Sequence, residues 1–120
     1  GYDKDKLFKA FFKYKNVVNN NKYANNYDYN KAVYLMGQAD LIENGFLLLK
    51  EDKTLNSPLS VLFYESYQDK NSVKSKLDEL KGRLQCTISV GNDNFGTSQK
   101  PQVNDYADGV DVVAFLAKLP

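Results

Sequence analysis

The spacing of apolar residues changes along this chain. Leu7, Phe8, Phe11 and Phe12 recur at i, i+1, i+4 and i+5, with Lys6, Lys9 and Lys13 on the other side. That period predicts an amphipathic helix ending near Asn16. Asn19, Asn20 and Asn21 read as a loop. Asp28 suits the N-cap of a second helix, in which Tyr29, Ala32, Val33 and Met36 fall at i, i+3, i+4 and i+7 as one apolar face. Gly37 weakens the last turn of that helix, and Asn44-Gly45 predicts a sharp turn.

Beyond Gly45 the period shortens. Phe46 to Leu49 form a continuous apolar run, as in a buried strand. Asn56, Ser57 and Pro58 punctuate the chain. Leu59, Val61 and Phe63 then alternate with Ser60, Leu62 and Tyr64, which predicts a second strand. Asn71-Ser72 would cap a third helix carrying Val73, Leu77 and Leu80, with Gly82 placed as a C′ glycine. Leu84 to Val90 reads as a third strand. Strand, helix and strand in that order imply a βαβ crossover with parallel pairing. Residues 91–101 form a polar loop, and Asp108 to Lys118 a closing helix with Val110, Val113, Ala114 and Ala117 on one side. The expected fold is therefore α/β, with two N-terminal helices and a parallel or mixed sheet. It is read as one domain spanning residues 1–120, since 120 residues leave room for one modest core.

Composition narrows the chemistry. With 42% hydrophobic and 26% charged residues the chain is too apolar for a disordered segment. A net charge of +1 gives no global case for nucleic acid or a membrane as partner. There is no histidine, which removes Ser-His-Asp and Cys-His pairs and every imidazole metal site. The one cysteine, Cys86, rules out an internal disulfide and fits a reducing, cytoplasmic setting.

Four constellations could carry chemistry. Cys86 sits in Leu-Gln-Cys-Thr-Ile-Ser-Val with no cation beside it, and reads as a buried structural thiol rather than a nucleophile. Gly91 and Gly96 flank a polar loop without phosphate-loop spacing, and read as glycines at positive φ. Asp105, Asp108 and Asp111, with Asp93 nearby, lack the order of a calcium loop and better serve a helix start. Lys4, Lys6, Lys9, Lys13, Lys15 and Lys22 interleave with Tyr14, Tyr23, Tyr27 and Tyr29, but without arginine they read as a wet helix face.

Three stretches resemble a known family. These are Asn21 to Leu35 (Asn-Lys-Tyr-Ala-Asn-Asn-Tyr-Asp-Tyr-Asn-Lys-Ala-Val-Tyr-Leu), Leu84 to Val90, and Phe95-Gly96-Thr97-Ser98-Gln99-Lys100-Pro101 with Asn104 to Asp111. Together they are similar to the C-terminal region of bacterial acyl-CoA reductases, the fatty-acid reductases of luminescence systems, relatives of the aldehyde dehydrogenases. The resemblance implies a partial aldehyde-dehydrogenase-like catalytic domain within a longer enzyme. That enzyme would take an acyl group from CoA onto a cysteine and reduce the thioester to a fatty aldehyde with NADPH. The catalytic cysteine and the dinucleotide-binding half would precede Tyr2, so no catalytic residue carries over. Cys86 does not match the nucleophile. The family's Glu-x-Phe-Gly-Pro motif falls at Leu55 to Pro58, which read Leu-Asn-Ser-Pro without the glutamate. Substrate contacts are expected at Phe95, Gly96, Asn104, Asp105 and Tyr106. The chain alone is expected to be inactive and to hold no cofactor, with acyl-CoA as the parent's ligand. No nucleic-acid or membrane partner is expected, and apolar surface left open on such a piece would drive self-association. The alternative reading is a stand-alone, non-catalytic α/β interaction module.

Overall fold

The computed structural model describes residues 2–89, 95–103 and 105–119, with Asp108 described by its backbone alone. The chain forms two compact units, Gly1–Tyr67 and Gln68–Pro120. Its described helices and three-stranded mixed sheet make an α/β protein.

In the first unit, α1 (Lys4–Phe11) starts at Asp3, whose Oδ1 accepts the Asp5 N–H at 3.0 Å. The helix is shorter than its apolar period suggests, because the chain tightens into a 3₁₀ stretch over Phe12–Asn19. Adjacent aromatics and the β-branched pair Val17-Val18 favour that change. Helix α2 (Asn21–Met36) begins well before Asp28: Asn20 is its N-cap and accepts the Tyr23 N–H at 3.2 Å. The expected loop over Asn19 to Asn21 is thus a cap. At the other end Gln38 takes φ +55, its N–H bonding Leu35 O while Ala39 N–H reaches Tyr34 O. This closes the helix as a Schellman motif with glutamine where glycine is usual.

The sheet has the order β1 (Leu41–Glu43), β2 (Leu48–Glu51), β3 (Val61–Tyr64). Strands β1 and β2 form an antiparallel hairpin turned at Asn44-Gly45, where Gly45 adopts φ +87. Strands β2 and β3 are parallel, joined by residues 52–60 rather than by a helix. Leu48 and Leu49, on opposite faces of the central strand, are both fully buried. On one face Leu48 and Val61 pack with Tyr27 of α2, and Tyr34 and Phe63 border them. On the other, Leu49, Leu62 and Tyr64 share the walls of an 830 Å³ hollow with Leu7 and Lys4 of α1.

The packed face of α2 is not the expected one. Tyr29, Val33 and Met36 stand in solvent, and Tyr23, Tyr27, Asn30 and Tyr34 turn toward the sheet. Their polar tips decide this: Tyr23 Oη donates to Phe46 O at 2.7 Å and Asn30 Nδ2 to Leu59 O at 2.9 Å. A tyrosine buries a large ring and still satisfies its hydroxyl, so this face outcompetes the smaller aliphatic stripe.

In the second unit, α3 (Lys70–Leu80) is capped by Asp69 rather than by Asn71-Ser72; Asp69 Oδ1 accepts from Asn71 N and Ser72 N. Val73, Leu77 and Leu80 form its half-buried stripe, as their period predicts. Gly82 lies in a 3₁₀ turn (Lys81–Arg83) and does not take positive φ. Residues 84–89 form no strand, so the helix-linked parallel crossover expected there is not made; Val90 lies outside the described residues. β propensity is realised only against neighbouring strands, and among the described residues no strand is paired with this segment. The closing helix is also shorter than expected. A 3₁₀ turn (Ala107–Gly109) ends in Gly109 at φ +68, and α4 (Val112–Leu116) starts afresh from Asp111, leaving Val110 outside it.

Candidate functional site

The expected substrate contacts fall in the second unit, beside a hollow of 840 Å³. Its wall includes Asp105 and Tyr106, together with Gln85, Cys86, Thr97 and Gln102. Two turns build it. Gly96 adopts φ +75 and leads into the turn Thr97–Lys100, which closes with Lys100 N–H on Thr97 O at 2.8 Å. Asp105 then clips the next turn from both ends: its Oδ2 accepts the Gln102 N–H at 2.6 Å, and its own N–H reaches Gln102 O at 3.0 Å. Tyr106 follows directly, half open to solvent.

The structure therefore brings Asp105 and Tyr106 to one wall. Phe95 is 62% exposed and is not part of that wall. Gly96 contributes the turn rather than a contact. Asn104 lies outside the described residues, as do Gly91 and Asp93.

Cys86 corrects one expectation. It is exposed, not buried, and residues 84–89 belong to no strand among the described residues. It lines the same hollow as Asp105 and Tyr106. The wall thus offers hydroxyls, amides, a carboxylate already engaged by a backbone N–H, and one thiol. This donor set suits hydrogen bonding to a polar ligand; with no histidine in the chain it supplies no imidazole base. Asp111 serves a helix start, as read, with Oδ1 accepting Ala114 N–H at 2.8 Å. Among the described residues, no three or more Asp, Glu, Cys or His side chains converge as metal ligands. Nor is any helix among them long and apolar enough to cross a membrane.

Residues 52–60, where the resemblance places the ribose-binding motif, link β2 to β3. Leu55 to Pro58 are half-buried or exposed loop residues without a carboxylate. The nearest acid, Asp52, is tied to Lys50 and to both the N–H and hydroxyl of Thr54, which hold its carboxyl far below the usual range.

A second polar cluster, missed in the sequence, lies in the first unit. Glu43 Oε2 accepts from Tyr27 Oη at 2.6 Å and pairs with Lys31 Nζ at 2.7 Å. Lys31, then Tyr27, lower the Glu43 carboxyl below its ordinary value. Burial, reinforced by Glu43, pushes the Tyr27 phenol up. Beside it, Lys50 Nζ lies 5.3 Å from the ring centroids of both Tyr34 and Phe63. The only signal for this cluster was the i, i+4 pair Tyr27-Lys31. Its acidic partner is on a three-residue strand too short to show a period.

No family model matches the chain, and neither a curated protein nor a solved structure matches it.

Proposed function

We propose that this chain is the C-terminal, non-catalytic part of an NADPH-dependent acyl-CoA reductase of aldehyde-dehydrogenase-like fold, acting in the cytoplasm. In this reading its role is to shape part of the acyl-CoA site while the acylated cysteine and the nucleotide are held elsewhere in the enzyme. One observation carries it: Asp105 and Tyr106, from the stretch of most specific resemblance, share the wall of one hollow with Cys86, from a less specific one. Leu55 to Pro58, which lack the glutamate of the family's ribose-binding motif, agree with a part that leaves the nucleotide to the rest of the enzyme. The purified chain is expected to oxidise no NADPH in the presence of a long-chain acyl-CoA. In the complete enzyme, Asp105→Ala and Tyr106→Ala are expected to raise KM for acyl-CoA. Turnover by the chain itself, or unchanged kinetics in both variants, overturns the proposal.

The second reading, a stand-alone α/β interaction module, is favoured by the open aliphatic side of α2, where Met36 is 85% and Leu35 54% exposed. An apolar surface of that kind marks a contact with another protein, including a second copy of this chain. It predicts that the native polypeptide is never acylated.

A further inference from the structure

The net charge of +1 hides a local imbalance. Between Lys6 and Tyr27 the chain has five lysines, Lys6, Lys9, Lys13, Lys15 and Lys22, and no aspartate or glutamate. The same stretch leaves aromatic rings in solvent: Phe11 is 38%, Phe12 56% and Tyr14 57% exposed. Charge and rings are interleaved in space as well. Lys15 Nζ sits 4.6 Å from the Phe12 ring centroid, and Lys13 Nζ 4.9 Å from that of Tyr14. Beside them opens a hollow of 290 Å³ with Phe11, Tyr14, Val17 and Phe46 among its walls.

The occupant must match both features. A single-stranded nucleic acid would favour arginine forks, and the chain's one arginine, Arg83, lies in the other unit. Lysine is a compact point charge on a flexible apolar stem, suited to a diffuse layer of anionic headgroups. Neighbouring phenylalanines with a tyrosine suit the boundary between headgroups and acyl chains, and the apolar hollow beside them gives an acyl tail room. We infer that α1 and its 3₁₀ continuation form a docking surface for an anionic lipid bilayer. Phe11, Phe12 and Tyr14 enter the headgroup boundary, with Lys9, Lys13 and Lys15 on the headgroups. This revises the expectation of no membrane partner, and it does not depend on the reductase reading.

The test is co-sedimentation of the purified chain with vesicles. Binding is expected to vesicles of equal parts phosphatidylcholine and phosphatidylserine at low salt, with release at high salt and none to phosphatidylcholine alone. Each lysine changed to glutamine should weaken binding about fivefold. The triple variant Lys9→Gln, Lys13→Gln, Lys15→Gln should therefore lose it. Phe12→Ser, at an exposed position, should weaken binding with an unchanged circular dichroism spectrum. Failure of the folded chain to bind at low salt, or equal binding by the triple variant, overturns the inference. Binding to a single-stranded oligonucleotide without binding to vesicles assigns the surface to nucleic acid and also overturns it.

Discussion

Tyr27 on α2 and Glu43 on β1 are joined by a 2.6 Å hydrogen bond, with the phenol donating to Oε2. It ties the helix to the edge strand directly above the core pair Leu48 and Val61. Tyr27→Phe keeps the ring and removes the bond, and is expected to cost about 1 kcal/mol. Tyr27→Ala also empties the core position and should cost about 3 kcal/mol or more. Urea midpoints of the two variants check both values; equal losses would show that the hydroxyl matters and the ring does not.

The same pair contributes to the pH dependence at both ends. The folded state lowers the carboxyls of Glu43, Asp52 and Asp69, so their contribution is present at neutral pH. It is lost as pH falls below the ordinary carboxylate range, from about 4 downward. Tyr27 is raised, so its contribution persists up to about pH 10 and is lost as pH climbs toward the folded-state value. Unfolding midpoints measured across that range should fall at both ends. Glu43→Gln should shrink the acid loss and Tyr27→Phe the alkaline one.

Asn30 is buried, and its Nδ2 satisfies the Leu59 carbonyl in the link before β3. Asn30→Leu removes one of the two donors to that carbonyl, the other being the Ser60 hydroxyl, and is expected to cost about 1 kcal/mol. Thermal unfolding measures it, and an unchanged midpoint would mean that the bond contributes nothing net.

Gln38 holds φ +55 at the end of α2. Gln38→Gly should stabilise the protein by about 1 kcal/mol, since glycine adopts that conformation without a Cβ penalty. A lower midpoint in the glycine variant would show that the side chain makes up for the backbone cost.

These positions also show how far the sequence could be read. Helix α3 and strand β3 followed from Val73, Leu77, Leu80 and from the Val61–Tyr64 alternation, where period and burial agree. The turn at Gly45 followed from its dipeptide. Helix α2 was harder because a row of tyrosines and one asparagine scores as polar, although each polar tip finds a partner on the sheet. Three consecutive asparagines likewise hid a cap inside an apparent loop. In the second unit the apolar pattern of residues 84–89 was real, but a strand needs an adjacent strand, which no period along the chain can supply. Of the candidate site, the nearness of Asp105 and Tyr106 was legible from their adjacency. That Cys86 shares their wall was not, because it depends on how the turns at Gly96 and Asp105 fold back.

The most direct test of the reductase reading is to supply source cells with a labelled long-chain fatty acid. The native polypeptide is then captured with an antibody against Asn21–Leu35, and label and mass are measured together. A labelled, thioester-linked band well above 13.6 kDa is the predicted result, with no label on Cys86. An unlabelled polypeptide under the same conditions would contradict the account and leave the interaction module as the reading to pursue.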